Sequence, residues 1–197
     1  MPVGIPRVPF LIPDDDDSSW VDLYNRLYQQ RLLFLGRKID SELSNQLVGI
    51  MVYLSMKDKT KDLYMFINSP GGGLVSGMAV YDGMQFIDAE VQTVCVGIAV
   101  SMASFILQGG AMNKRLAFPH SRVMMHQPAC SLDEGNTSDC LLDSDEVIIM
   151  RNSIVESYAK RTGQPMWMIA EDLDRDFFMS AEEARAYGIV DMVAEED

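Results

Sequence analysis

A serine lies at a point of the chain where the backbone could support nucleophilic catalysis. Ser101 stands where a run of mostly β-branched residues, Val91 to Ile98, gives way to a helical stretch that ends at Gly109. Because the first amides of a helix have no intrahelical acceptor and the helix dipole favours negative charge, a serine there could carry an alkoxide or face an oxyanion. Serine is also a preferred N-cap, so the junction alone favours a structural role. Its role as a nucleophile depends on suitable partners.

The chain contains two histidines, and they lie in different surroundings. His126 comes directly after the apolar residues 123–125, at the end of a predicted strand, where the sites of α/β proteins gather. His120 lies in a polar turn between two short predicted strands. A lone histidine beside an apolar strand is more often structural, so the position of His126 alone is weak evidence for catalysis. Ser101, His126 and a carboxylate further along the chain would supply nucleophile, general base and orienting acid, a set recognised by geometry.

A glycine-rich loop follows the second predicted strand, Leu63 to Ile67. It reads Asn68-Ser69-Pro70-Gly71-Gly72-Gly73 and precedes a helical stretch, so its backbone could bind an anion. A phosphate-binding loop would need a lysine and a hydroxyl residue after its last glycine, but Gly77 is followed by methionine and alanine. Three consecutive glycines are also more than a tight turn requires. We therefore predict an oxyanion-binding loop and not a nucleotide loop.

Composition narrows the class of protein. The 197 residues suffice for one domain with a sizeable core, and a net charge of −13 argues against nucleic acid or an anionic membrane surface as partners. No apolar run approaches the length of a membrane span. The three cysteines are an odd number without metal-like spacing, which favours a reducing compartment and no metal site. The first ten residues have neither signal-peptide nor transit-peptide character.

The order of predicted elements indicates an α/β domain. Residues 1–19, with four prolines and four consecutive aspartates, predict an extended mobile arm, and residues 20–197 a single domain. Apolar spacing predicts a helix from Trp20 capped by Ser18 or Ser19, and a further helix opening at Asp40. Between them, residues 31–35 form a predicted strand, and later strands are predicted at 91–98, 114–118, 122–125 and 189–193. Residues 180–183 form a capping box for a last helix that Gly188 ends.

An acidic segment precedes a long predicted helix. Residues 131–147 contain six carboxylates and no basic residue, and the helix ends near Gly163. We expect a solvated protrusion whose acidic groups lie near the helix start, where the dipole favours them. A calcium site is disfavoured because the spacing of a calcium loop is absent.

Several strings together resemble the proteolytic subunit of Clp protease (ClpP), and the likeness covers the chain from about Trp20 onward. They are FINSPGGG, GIAVSMASFIL, RVMMHQPA, RTGQP and DRDFFMSAEEARAYGIVD. The resemblance implies that Ser101 is the nucleophile, His126 the base and Asp172 the acid, with the neighbouring Asp174 and Asp176 less favoured. It also implies oxyanion donors at the amides of Gly72 and Met102, in agreement with the independent interpretation of both loops.

The same resemblance implies an architecture, partners and a compartment. The fold would be the α/β ClpP/crotonase-like ββα superhelix with a protruding handle at about residues 129–162. Two stacked seven-membered rings of ClpP-type subunits would enclose a chamber, fed with unfolded protein by an AAA+ unfoldase that uses the ATP, so the chain itself would need no cofactor. The unfoldase would dock on a cleft lined by Tyr64, Phe66 and Phe86. The start is most similar to plastid-encoded members of the family, which implies the chloroplast stroma, with a bacterial cytoplasm as the alternative.

Two other functions compete with serine endopeptidase activity. A crotonase-type acyl-CoA enzyme could share the fold and a glycine-built oxyanion hole, but it would not need a serine, a histidine and an aspartate in register. A structural, non-catalytic subunit of a mixed protease ring is the second alternative, and a complete triad counts against it.

Overall fold

The structure is a computed structural model that describes residues 4–10, 19–128 and 137–195. Near its start, β1 (Arg7–Phe10) pairs antiparallel with β2 (Ser19–Asp22), so part of the predicted arm belongs to a two-stranded sheet. The four consecutive aspartates of that arm lie outside the described residues.

The first helix is shorter than predicted. Trp20 belongs to β2, and α1 (Leu23–Gln29) begins only after Asp22, whose side chain accepts a hydrogen bond from the amide of Tyr24 at 2.8 Å. The predicted cap at Ser18 or Ser19 is therefore wrong. An aspartate directly before the first helical residue satisfies the free amides better than a serine several residues upstream.

The remaining strands form one seven-stranded sheet. In chain order the strands are β3 (Leu32–Leu35), β4 (Leu63–Ser69), β5 (Val91–Val100), β6 (Arg115–Ala117), β7 (Arg122–Met125), β8 (Phe177–Ser180) and β9 (Met192–Val193). The main path of the sheet runs in the order β3, β4, β5, β6 and β9 with parallel pairing throughout, while β7 pairs parallel with β5 and antiparallel with β8.

Helices alternate with these strands, as the sequence predicts. They are α2 (Ser41–Lys57), α3 (Leu74–Phe86), α4 (Met102–Gln108), α5 (Thr137–Thr162), α6 (Met166–Leu173) and α7 (Ala181–Tyr187). The predicted ends of two of them are confirmed. Asp40 caps α2, and Ser180 and Glu183 form a capping box for α7, which ends at Gly188 in the left-handed conformation with φ 97°.

The core lies on the parallel part of the sheet. Leu33, Leu35, Met65, Ile67 and Cys95 are fully buried. In β3 and β4 the side chains that alternate with these residues are partly exposed, so the core lies on one face of these two strands. None of the helices in the described ranges is long and apolar enough to cross a membrane.

Strand β5 divides the sheet into two branches, and this division positions the site. Its residues 93–95 pair with β6, whereas its residues 98–100 pair with β7. Gly97 lies between the two sets with φ 92°, and a β-carbon there would come within 2.8 Å of Asn68 Oδ1, so glycine suits the change of direction. The end of β5 therefore parts from β6 and lies beside the end of β7, while Ala99 still pairs with Ser69 of β4.

The long helix α5 has two different parts. Its C-terminal half packs into the core through Ile154, Val155 and Tyr158, which are at most 4% exposed. Its earlier turns expose Leu141, Leu142, Ile148 and Ile149. Ile154 and Val155 are thus part of the subunit's own core and are not available to an interface with another subunit. The start of the predicted handle, residues 129–136, lies outside the described residues.

Candidate active site

Ser101 connects β5 to α4 in a conformation that is rare for a residue with a side chain. Its φ is 57° and its ψ is −123°, far from both strand and helix. A non-glycine residue persists there only when its surroundings hold it, and such strain gathers at functional sites. The Ser101 side chain makes no capping hydrogen bond to α4. The structural role as an N-cap is therefore excluded, and the hydroxyl points elsewhere.

The partner of that hydroxyl is His126. The amide of Ser101 donates to the carbonyl of Met124 at 2.8 Å, which extends the pairing of β5 with β7 by one residue. The side chain that follows β7 is then next to the one that follows β5. Nε2 of His126 lies 2.9 Å from Oγ of Ser101. Of the two histidines, the structure brings the predicted one to the serine.

The second ring nitrogen of His126 meets Asp176. Strands β7 and β8 run antiparallel with Met125 opposite Phe177, so the residue after Met125 faces the residue before Phe177. Nδ1 of His126 lies 2.9 Å from Oδ1 of Asp176. A carboxylate in this place fixes the imidazole tautomer whose Nε2 can accept a proton.

The assignment of Asp172 as the orienting acid is corrected by this geometry. Asp172 lies in the last turn of α6, where its Oδ2 accepts a hydrogen bond from the hydroxyl of Tyr187 at 2.8 Å. Asp174, the other neighbour, is bound to Arg151 at 2.8 Å. The segment EDLDRD offers several acids within six residues, and composition does not choose among them. Strand register could have done so, because Asp176 directly precedes β8 just as His126 directly follows β7.

The glycine loop packs closely against the serine. Gly71 has φ 85°, and a β-carbon on it would come within 2.5 Å of the Val100 carbonyl and 2.8 Å of Ser101 Cβ. The loop is held in place by Ile39, whose amide donates to the carbonyl of Gly71 and whose carbonyl accepts from Gly73, each at 2.9 Å. Only glycine permits this approach of the loop backbone to the nucleophile.

Both predicted oxyanion donors border the same cavity as the serine and the histidine. Gly72 and Met102 line a cavity of about 200 Å³ together with Ser101 and His126. Met102 is the first residue of α4, so its amide has no intrahelical acceptor. The structure therefore places Gly72 and Met102 around the same space as Ser101 and His126.

The rest of the cavity wall is largely apolar. It is formed by Leu74, Phe105, Pro128, Ile154 and Tyr158. The hydroxyl of Tyr158 pairs with that of Ser104 at 2.8 Å, and burial raises the pKa of Tyr158. Ser104 in turn donates to the carbonyl of Ser101 at 2.7 Å. The helix α5 thus contacts the nucleophile segment through a buried pair of hydroxyl groups.

The residues of the predicted docking cleft differ in exposure. Phe86 is 83% exposed and Tyr64 is 38% exposed. Phe66 is half-buried and stacks on Phe34 with ring centroids 5.4 Å apart. Two of the three side chains therefore present apolar surface that a partner could cover.

The fold and the site define a hydrolase with a Ser-His-Asp triad. Comparison with known proteins then gives the family. The profile of the family described as Clp protease matches residues 15–197, and the chain belongs to that family. The predicted fold class and the resemblance are both confirmed by this match.

Curated relatives match over their full length. The chain is 59% identical over 196 residues to "ATP-dependent Clp protease proteolytic subunit" of Nicotiana tabacum, with all of both chains covered. It is 59% identical over 194 residues to "Chloroplastic ATP-dependent Clp protease proteolytic subunit 1" of Arabidopsis thaliana, covering 98% of this chain and 99% of that one. The subunit of Spinacia oleracea is 58% identical over 196 residues. These matches support proteolysis and neither of the two alternative functions.

Proposed function

We propose that this chain is a serine endopeptidase subunit in which Ser101, His126 and Asp176 hydrolyse peptide bonds. The observation that carries the proposal is the continuous series of 2.9 Å contacts from Ser101 Oγ through the imidazole to Asp176. Membership in the Clp protease family supports the same chemistry.

The geometry supports a two-step acyl transfer. Ser101 Oγ attacks the peptide carbonyl while Nε2 of His126 takes its proton, and the imidazolium then protonates the leaving amine. Asp176 accepts from Nδ1–H and so keeps Nε2 directed at the serine. The amides of Gly72 and Met102 stabilise the tetrahedral oxyanion, by about 3 kcal/mol per donor. Water activated by His126 then releases the acyl group from Ser101.

The substrate is an unfolded polypeptide delivered by a partner. A cavity of about 200 Å³ accepts side chains of an extended peptide and not a folded domain. The relatives are named ATP-dependent, whereas the glycine loop of this chain lacks the lysine of a nucleotide site. An AAA+ unfoldase therefore uses the ATP, and this chain needs no cofactor of its own. Nucleic acid and membranes are not partners.

The working assembly is a pair of stacked rings of ClpP-type subunits. The exposed apolar residues on the earlier turns of α5 favour burial against other subunits. Exposed Tyr64 and Phe86, beside Phe66, form the surface on which the unfoldase docks. The compartment is the plastid, which the plant relatives and the chloroplastic name of one of them support, and within the plastid we propose the stroma.

Peptide hydrolysis by two histidine variants tests the catalytic assignment. His126→Ala should lower the kcat of the assembled protein on a short peptide by a factor on the order of 10⁴, because triad members act as a unit. His120→Ala, which changes a turn residue outside the site, is the matched control and should stay within about twofold. Full activity of His126→Ala would exclude the mechanism.

Unfoldase-driven proteolysis tests the docking assignment separately. The double variant Tyr64→Ala, Phe86→Ala should lose degradation of a folded substrate in the presence of the unfoldase and ATP, while short-peptide hydrolysis persists. Trp167→Ala removes an aromatic side chain of similar exposure, 65%, from α6 and serves as the control. Unchanged unfoldase-dependent degradation in the double variant would refute the cleft.

A further inference from the structure

The orienting carboxylate lies in a short and exposed connection. Asp176 is the last of three residues, 174–176, between α6 and β8, and its side chain is 62% exposed. An exposed carboxylate has little packing of its own to fix it. Its distance to Nδ1 of His126 therefore depends on how the connection is anchored at both ends.

A half-buried hydrogen bond joins the two helices that flank that connection. Asp172, in the last turn of α6, is only 14% exposed, and its Oδ2 accepts from the hydroxyl of Tyr187 at 2.8 Å. Tyr187 is the last residue of α7, the helix that follows β8. Burial and the neighbouring carboxylate both raise the pKa of Tyr187, so the phenol stays protonated and donates throughout the neutral range. The pair joins the helix before Asp176 to the helix after it.

The residues on either side of Asp176 lie against this pair. The guanidinium of Arg175 is 3.7 Å from Oδ1 of Asp172 and 5.5 Å from the ring centroid of Phe177. The Phe177 ring is in turn 5.7 Å from that of Tyr187. Arg175 is largely exposed, so its ion pair contributes little alone, and the half-buried hydrogen bond between Asp172 and Tyr187 is the stronger anchor.

Backbone contacts hold both ends of the connection, and the pairing of Met125 with Phe177 fixes the backbone directly after Asp176. The amide of Gln127 donates to the carbonyl of Leu173 at 2.6 Å, and Arg151 binds Asp174. These contacts fix where α6 stops relative to the segment after His126. The hydrogen bond between Asp172 and Tyr187 adds a side-chain contact between the helices on either side of the connection, and Arg175 lies against it.

We propose that Asp172 is a positioning residue for the proposed peptidase reaction, acting through Tyr187 to hold Asp176 against His126. It touches neither substrate nor the reacting atoms. The inference rests on the proposed function, because it concerns the orientation of that triad. Loss of the Asp172–Tyr187 hydrogen bond should loosen the connection, so that His126 is correctly oriented for a smaller fraction of the time.

Turnover by Tyr187→Phe tests this role. That change removes the hydroxyl and keeps the ring, so kcat on a short peptide should fall about three- to tenfold with KM unchanged. Asp172→Ala should lower kcat at least as much, whereas Asp172→Asn keeps an oxygen acceptor for Tyr187 and should recover most of the loss. Tyr81→Phe removes another tyrosine hydroxyl with one hydrogen bond, to Ser157, and is the matched control expected to retain kcat.

An Asp176→Asn background separates positioning from general structural damage. If Asp172 and Tyr187 act through the Asp176 carboxylate, Tyr187→Phe should cause no further loss of residual hydrolysis of an activated ester in that background. A further three- to tenfold loss there would overturn the proposal, and so would an unchanged kcat for Tyr187→Phe in the parent chain. All variants are compared as assembled protein of equal sedimentation. A Ser101→Ala variant run in parallel reports separately on the proposed function, because activity in it would contradict the peptidase mechanism itself.

Discussion

His126 and Asp176 are 50 residues apart in the chain, yet their side chains meet at 2.9 Å because β7 and β8 are antiparallel with Met125 opposite Phe177. The parallel pairing of β5 with β7 sets Ser101 beside the same histidine. The triad is thus assembled by the register of three strands and not by any local motif.

Replacing the orienting carboxylate should have a far larger effect than replacing its neighbour. Asp176→Asn is isosteric, but its amide NH2 can donate to Nδ1 and so stabilise the wrong imidazole tautomer, with the proton on Nε2, so kcat should fall by a factor on the order of 10⁴. Asp172→Asn should stay within about tenfold of the parent. Short-peptide kinetics of the assembled variants decide the matter, and the opposite order would make Asp172 the orienting acid.

The close approach of the glycine loop to the nucleophile should not tolerate a methyl group. Gly71→Ala forces a β-carbon to within 2.5 Å of the Val100 carbonyl at a φ of 85°, so the loop must move away from Ser101. We expect a loss of roughly 1–3 kcal/mol in the free energy of unfolding and a loss of most peptidase activity. Thermal unfolding and peptide hydrolysis measure the two effects.

Gly49→Ala is the matched control for that change. Gly49 lies inside α2 with open space where alanine would place its β-carbon, so alanine should stabilise the subunit by about 0.5–1 kcal/mol and leave activity unchanged. Equal behaviour of the two variants would contradict the role assigned to the Gly71 backbone.

Substitutions at two of the isoleucines of α5 should separate folding from assembly. Ile154 is 3% exposed, so Ile154→Asp buries a charge in the core and should unfold the subunit, with a cost of more than about 3 kcal/mol. Ile148 is 54% exposed, so Ile148→Asp should leave the subunit folded but shift the protein towards single rings or monomers. Circular dichroism and analytical ultracentrifugation distinguish the outcomes. Intact double rings of Ile148→Asp would remove Ile148 from the stacking interface.

Stacking of the rings should also depend on salt. Asp143, Asp145 and Glu146 lie on the earlier turns of α5 beside the exposed apolar residues, and copies of this acidic surface would repel one another across an equator. Because salt screens such repulsion, double rings should dissociate more readily at low ionic strength. Sedimentation at several salt concentrations measures this, and a distribution that does not change with salt would refute the electrostatic contribution.

The sequence predicted most elements of this fold because their signals are local. The β-branched run before Ser101 and the caps at Asp40 and Ser180 need no tertiary information, and the structure has them where expected. The helix predicted at Trp20 failed because the apolar residues there have a helical spacing, while pairing with β1 draws Trp20 into a strand. A tertiary contact outweighed a local periodicity.

Two of the three triad residues could be predicted from the sequence. Ser101 and His126 stand out because one follows a change of periodicity and the other is one of only two histidines. The acid could not be chosen in this way, since Asp172, Asp174 and Asp176 share one short segment and only the pairing of β7 with β8 tells them apart. The sequence also does not show that Ile154 and Val155 are buried while Ile148 is exposed. All three are apolar residues of one helix, and the rest of the core decides which face of that helix is buried.

Labelling of the assembled protein by a fluorophosphonate is the most direct test of the central claim, that Ser101 is a nucleophile activated by His126. We predict covalent modification of Ser101, found by peptide mass spectrometry, and its loss in Ser101→Ala together with peptide hydrolysis, with the assembly unchanged in size. Modification of a different serine, or full peptide hydrolysis by Ser101→Ala, would contradict this claim.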